Sequence, residues 1–211
     1  VNKIVTKTGL RQNSVNGVVR VGPRDHGRRM SLKEFDHAEV VPGYLYELSR
    51  GVITVSDVPR PSHLAQVQDS REQFILYKLT NPGRIHSIGA SGECKLLVWA
   101  FESERHPDIA VYKKRPPRVR DVWTKWIPDG AIEIVSRGSE KRDYEEKREE
   151  YLRFGVREYW IIDHARQQML VLRRFRDRWT EKIVRPGERY RTRLLPGFEF
   201  DLARVFAAAG K

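Results

Sequence analysis

Two short apolar segments each carry one carboxylate where a hydrophobic residue would suit a strand better. Asp108 stands in "HPDIAVYKK", residues 106–114, and Glu133 in "PDGAIEIVS", residues 128–136. In a strand alternate side chains share a face, so Asp108 points with Ala110 and Tyr112, and Glu133 with Ala131 and Val135. Both segments are apolar on either side, as strands covered on both faces are. A charge buried there is costly unless it is paired or holds a metal. Taken singly, each carboxylate reads first as a structural ion pair or as a strand-end residue in water. Lys147 changes that reading. It lies three residues after Tyr144 and four before Tyr151, on the inward stripe of a helix expected over 140–154. Such a lysine is either a side chain snorkelling to solvent or the third member of a charge cluster. Buried ion pairs roughly break even in stability, so convergence of all three points to chemistry. The chemistry is metal-assisted phosphodiester hydrolysis. Carboxylate oxygens suit Mg2+ or Mn2+, and a lysine orients the nucleophile or stabilises the transition state.

Around these residues the patterns alternate between strand and helix. "SLKE" at 31–34 is a capping box opening a short helix. "YLYEL" and "GVITV" read as a hairpin turning at Arg50-Gly51. "SHLAQVQDSREQFILYKL" has apolar residues at 64, 67, 74, 75 and 79, a roughly helical period, and "NPG" stops it. Strands are expected near 84–88, 95–101, 108–112 and 131–136, and Gly155 ends the helix that carries Lys147. "REYWIIDH", "QMLVLRRF" and "RWTEKIV" follow as strands, and "LPGFEFDLARVFA" closes with a short helix. The order defines an α/β protein. Residues 1–28 read as a basic, loosely ordered arm and 29–211 as one domain.

The chain has 211 residues and a formal net charge of +12. That excess favours polyanionic partners, nucleic acid first. Lys113, Lys114, Arg115, Arg118 and Arg120 form one basic cluster and Arg173, Arg174, Arg176 and Arg178 a second; either supplies phosphate contacts or is a solvated basic surface. Cys94 is the only cysteine, which suits a reducing cytoplasm. "VNKIVTKTGLRQ" lacks the apolar core of a signal peptide, and "LLVWAF" is too short to span a bilayer. The histidines are scattered without zinc spacing, and neither a P-loop nor a dinucleotide-binding glycine motif is present.

The chain also resembles the Uma-two family of restriction-endonuclease-like proteins, within the PD-(D/E)XK nuclease superfamily. The likeness rests on "RMSLKEF" (29–35), "YLYEL" (44–48), "PSH" (61–63), "HPDIAVY", "AIEIVS", "RDYEEKREEYLRFGVREYWIID" (142–163) and "GFEFDL" (197–202). The resemblance implies a restriction-endonuclease-like fold, a central mixed sheet flanked by helices, and cleavage of DNA. It implies Asp108 and Glu133 as ligands of Mg2+ or Mn2+, with Lys147 as the superfamily lysine. The superfamily places that lysine two residues after the glutamate, where this chain has Val135. Glu47 matches an acidic family position that would complete the metal site, and His63 a family histidine at a helix start, where capping or a surface role is the first reading. Duplex cleavage needs two sites, which leaves a homodimer as an open expectation. The rival reading is a nuclease fold kept as a nucleic-acid-binding or protein-interaction module with weak or lost cleavage.

Overall fold

A computed structural model describes residues 14–15 and 18–210. The first strands, β1 (Ser14–Val15), β2 (Val18–Val21) and β3 (Glu39–Val40), pair into a small sheet of their own. Helix α1 (Leu32–Asp36) lies between the last two, and Ser31 caps it with Glu34 as the capping box requires. The expected arm boundary at residue 28 falls too late. β2 pairs with β3, Val21 is fully buried, and the Gly27 N–H donates to the Ile53 carbonyl at 2.8 Å. The remainder of that arm, residues 1–13 and 16–17, lies outside the described residues.

β4 (Tyr44–Ser49) and β5 (Val52–Asp57) form the expected hairpin. Its turn residues Arg50 and Gly51 have φ of 51° and 73°, the two positive values that let a two-residue loop match the strand twist. Helix α2 (Pro61–Thr80) follows, then β6 (Ser87–Gly89), β7 (Leu96–Val98) and β8 (Ser103–Arg105). β9 (Ile109–Tyr112) and β10 (Gly130–Ile134) carry the apolar segments read from the sequence. Next comes a helix whose first turn, Arg142–Glu146, is π-helical and which continues as α3 (Lys147–Phe154). β11 (Glu158–Asp163), β12 (Gln168–Phe175), β13 (Arg178–Val184), β14 (Arg189–Arg191), β15 (Glu199–Asp201) and α4 (Leu202–Ala208) complete the chain.

The central sheet runs β13-β12-β11-β10-β9-β6. Only β10 and β11, joined through α3, are parallel; the other pairs in this sheet are antiparallel. A second sheet, β5-β4-β8-β7, is antiparallel throughout. The central sheet is buried on both faces. One face, with Ile109, Ile132, Trp160 and Val171, packs on Phe74 and Tyr77 of α2 and on Phe198, Phe200 and Val205 of the C-terminal segment. The other, with Ala131, Tyr159, Ile161 and Leu172, packs on Tyr151 of α3 and on Leu96 and Val98 of β7. The stripe that α2 turns inward differs from the one read in its sequence. Gln66, Ser70, Gln73, Phe74 and Tyr77 are buried, whereas Leu64 and Leu79 are exposed. Of the polar ones, Gln73 is held by a partner the sequence does not reveal, its amide exchanging hydrogen bonds with the Asp201 backbone.

Candidate active site

Three pieces of chain deliver the candidate residues to the α3 face. β8 of the second sheet ends at Arg105, and four residues later, at Ile109, the chain enters β9 of the central sheet. This crossing places Asp108 at the seam between the sheets. The antiparallel register Ala131↔Ala110 and Ile132↔Ile109, carried one step further, sets Glu133 opposite Asp108. Residues directly opposite share a face, so both carboxylates look toward α3. The Ile134 N–H donates to Asp108 Oδ2 at 2.8 Å and fixes the aspartate against β10. Glu133 stands near the carboxyl end of its strand, where open α/β sheets bind their ligands.

α3 supplies the lysine. The Lys147 N–H bonds to the Arg142 carbonyl five residues back, closing the π turn, a feature found mostly at functional sites. Lys147 is 3% exposed, and its ammonium lies 2.9 Å from Glu133 Oε2, 3.4 Å from Glu47 Oε1 and 3.6 Å from Asp143 Oδ1. Lys141, the other lysine of this helix, is exposed. One turn beyond Lys147, the Tyr151 hydroxyl donates to Glu133 Oε1 at 2.6 Å. The structure therefore brings Glu47, Glu133 and Lys147 together, with Asp108 opposite Glu133. His63, at the start of α2, sits with Nε2 3.4 Å from Asp108 Oδ1; it neither caps the helix nor faces freely into solvent, being 14% exposed.

Sequence reasoning missed three members of this cluster. Asp143 is buried four residues before Lys147, and its Oδ1 has no hydrogen-bond partner. Its i, i+4 spacing from the lysine was the signal available. Arg105 is fully buried and gave no signal, because it lies on a three-residue strand absent from the sequence reading. Its Nε donates to Glu150 Oε2 at 2.7 Å and its Nη1 to Glu47 Oε2 at 3.3 Å, and its Nη2 reaches Ser49 Oγ at 2.8 Å. Arg142 is the third, with Nε 3.7 Å from Glu47 Oε2. Glu47 is thus engaged on both oxygens, since the His106 N–H also donates to Oε1 at 3.2 Å.

These contacts set the charge states. Burial would raise the Glu47 carboxyl, yet Lys147, Arg105 and Arg142 together hold it well below the usual carboxylate range. Burial pushes Glu133 up, to about 8, against the pull of Lys147 and with added repulsion from Asp108, Asp143 and Glu47. Burial, with repulsion from Asp108, also raises Asp143, despite Lys147, Ser139 and Arg142. Burial opposes the charge on Lys147, but Glu133, Glu47 and Asp143 outweigh it and raise the ammonium above its ordinary value. Lys147 stays cationic, and an extra proton in the cluster settles on a carboxylate, Glu133 and Asp143 being the two whose affinity for it is raised.

Among the described residues no three His, Cys, Asp or Glu side chains gather as a metal-binding group. Mg2+ does not require such a cage, since it is commonly held by one or two carboxylates together with substrate phosphates and water. Asp108 and Glu133 fit that demand. They are oxygen donors on one face, and the repulsion that raises Glu133 is what a divalent cation relieves. The basic residues divide by position. Lys114, Arg115, Arg118 and Arg120 are exposed on the β9–β10 connection, while the Lys113 ammonium donates to the Leu194 carbonyl at 2.7 Å. Arg173 pairs in register with Glu158, which pairs with Gly130, so Arg173 and Arg174 lie toward the end of the sheet away from Glu133. No helix among the described residues is long and apolar enough to cross a membrane.

A mixed sheet with a carboxylate pair and a lysine on one face is a nuclease-like architecture, and solved structures bear out the fold. The chain is similar to "a putative nuclease belonging to DUF820" from Anabaena variabilis ATCC 29413, at 19% identity and a TM-score of 0.67. That match covers 85% of this chain and 99% of the other. Residues 32–203 match the model of the Uma2 family, described as "Putative restriction endonuclease", and the chain belongs to that family. No curated protein matches it.

Proposed function

We propose that this protein is an endonuclease that hydrolyses DNA phosphodiester bonds with Mg2+ or Mn2+. The observation that carries the reading is the Lys147 ammonium, buried and bracketed by Glu133, Glu47 and Asp143, on the face that also presents Asp108. Asp108 and Glu133 would hold the cation, which supplies Lewis acidity toward the phosphate and an activated water when bound. The chain's own groups do the positioning. The Ile134 N–H fixes Asp108 and the Tyr151 hydroxyl fixes Glu133, so neither carboxylate has to reorganise as charge develops. Lys147 has three N–H donors, and exchanging one carboxylate partner for a phosphoryl oxygen lets it stabilise the charge of the transition state. Glu47, expected as a third metal ligand, serves first as the anchor of Lys147. It reaches a cation only by giving up one of its present contacts.

The family assignment supports nuclease chemistry, and the exposed basic β9–β10 connection supports a polyanionic substrate. The single cysteine, Cys94, is buried, which suits a reducing cytoplasm. The second reading, a binding module with weak or lost cleavage, draws on the lack of a three-residue metal group among the described residues. Plasmid nicking separates the two. The wild-type chain should convert supercoiled DNA to open circles in Mg2+ or Mn2+ and not in chelator, and Asp108→Ala should not. Equal activity in both proteins, or none in either, sinks the endonuclease reading.

A further inference from the structure

A concavity lies away from the candidate active site. It is a groove of about 380 Å3 at the β11–β12 end, with five guanidinium side chains along it: Arg157, Arg173, Arg174, Arg176 and Arg193. Its apolar wall is Leu194 and its floor is Glu158. In register, Glu158 lies beside Gly130, three residues along β10 from Glu133. At about 3.3 Å per residue that separates the two places by about 10 Å along the strand. They are also on opposite sides of the sheet, because Glu158 shares with Trp160 and Ile162 the face turned toward α2, whereas Glu133 faces α3. One phosphate cannot serve both.

The arginines exceed the carboxylates available to them. Glu158 is buried and already accepts from Trp160 Nε1 at 3.0 Å and Thr192 Oγ1 at 2.8 Å, besides lying 3.4 Å from Arg173 Nε. Asp129 takes Arg157 at 3.1 Å. The buried Glu158 thus acts as a fixed anchor that sets the angle of Arg173. Arg174 is held by its Nε donating to the Arg176 carbonyl at 2.8 Å, which commits one face of its guanidinium and leaves the terminal nitrogens on the other. Five cations facing two engaged carboxylates leave a net positive cleft. Clustering of the arginines in one concavity strengthens the local positive field, and planar guanidinium forks match phosphate oxygens in pairs. The volume falls within the small-molecule range of about 300–1,000 Å3 and exceeds the need of a bare phosphate.

We propose that this groove is a phosphate-binding site for one nucleotide unit, separate from the site of Asp108, Glu133 and Lys147. The phosphate comes either from a free mononucleotide or from the backbone of a nucleic-acid strand. The test uses the full chain in chelator, so it does not depend on cleavage, and nicking activity can fail without touching it. Calorimetric titration with deoxyadenosine 5′-monophosphate forms one arm and a short single-stranded DNA without terminal phosphate the other, with deoxyadenosine as the blank. Arg176→Ala/Arg193→Ala alters two exposed side chains, so the fold should survive; Arg24→Ala/Lys33→Ala removes the same charge from exposed positions outside both the groove and the β9–β10 connection. Losing two charge-assisted contacts should weaken binding at least about tenfold, with little change in the control pair. Loss in the mononucleotide arm assigns a free nucleotide, and loss in the DNA arm alone assigns a strand. Unchanged affinity in both arms, or an equal loss in the control pair, overturns the proposal.

Discussion

The Tyr151 hydroxyl and the Lys147 ammonium take the two oxygens of Glu133 separately, at 2.6 Å and 2.9 Å. Their i, i+4 spacing on α3 makes this possible, since such residues stand one above the other on a helix. Tyr151 is itself fully buried against Tyr159. Tyr151→Phe keeps the ring and removes only the donor, which leaves Glu133 Oε1 buried without a partner. The expected cost is about 1–3 kcal/mol in urea unfolding, with slower nicking as Glu133 loses its fixed orientation. Wild-type stability in this variant would show that the hydroxyl contact does not form.

Protonation of Glu133 makes stability pH-dependent. Its folded-state value lies near 8, above the ordinary 4.5, because burial and the facing Asp108, Asp143 and Glu47 outweigh Lys147. A group raised on folding binds more protons in the native state, so stability falls as pH rises between those two values. Asp143 is raised as well and adds with the same sign. Metal-free protein should therefore lose stability from about pH 5 to pH 8, and Glu133→Gln should flatten the slope. Mg2+ should flatten it too if Asp108 and Glu133 hold the ion, because the cation displaces the proton. Thermal melts across this range in chelator and in Mg2+ measure both effects.

Arg105 and Glu150 are both fully buried and paired at 2.7 Å. Removing one partner of such a pair strands the other, at a cost of about 3–5 kcal/mol. Arg105→Ala should show that loss on denaturant unfolding. Arg105→Met/Glu150→Leu removes both charges at similar volume and should recover much of it. Arg105 also holds Glu47, so the double variant should remain a slow nuclease despite its regained stability. Full activity in that variant would detach the Arg105–Glu47 contact from catalysis.

How much of this was legible in the sequence depended on whether local pattern or tertiary contact decided the outcome. The Ser31 capping box, the Arg50-Gly51 turn and the Gly155 terminus are local devices, and each formed where its residues stand. Strand alternation gave Asp108 and Glu133 their companions within each segment, while the register that sets one opposite the other is a pairing between strands that alternation does not fix. Lys147 was legible because helical spacing tied it to Tyr151. β8, only Ser103–Arg105, was not legible, since three residues carry too little periodicity to distinguish a strand from a loop. Arg105 went with it. α2 was misread because its inward face carries glutamines and a serine whose environment is tertiary, the Asp201 backbone among them. Residues 1–28 read as an arm because charge hides the two features that bind part of it down, the β2–β3 pairing and the burial of Val21.

DNA binding, if it runs along the β9–β10 connection, should fall steeply with salt. Each phosphate neutralised releases condensed counterions, giving a slope of log K on log salt of about −0.9 per contact for duplex DNA. Lys114, Arg115, Arg118 and Arg120 are exposed there. Replacing any one that touches a phosphate should reduce the slope by about one and weaken all sequences alike. Fluorescence anisotropy over a salt series tests this, and a flat response in the wild-type chain would remove nucleic acid as the partner.

Lys147 gives the most discriminating test. Its ammonium is one compact cation serving Glu133, Glu47 and Asp143 within 3.6 Å. Lys147→Ala removes the only lysine among them, so nicking should be abolished. DNA affinity should stay near wild type, since one contact among many on a basic surface is a small loss. The vacated carboxylates will take up protons in place of the lost charge, so circular dichroism and a melt must confirm that the variant is folded. Lys147→Met, with nearly the same volume and no charge, guards against a packing defect in the alanine variant. Lys147→Arg should not restore cleavage. A planar guanidinium directs its donors in a fixed fork and is bulkier than an ammonium, while Lys147 occupies a space closed on one side by Tyr151 and on another by Arg105 and Arg142 near Glu47. Cleavage at the wild-type rate by either the alanine or the methionine variant would take Lys147 out of the catalytic site and leave it a structural ion pair.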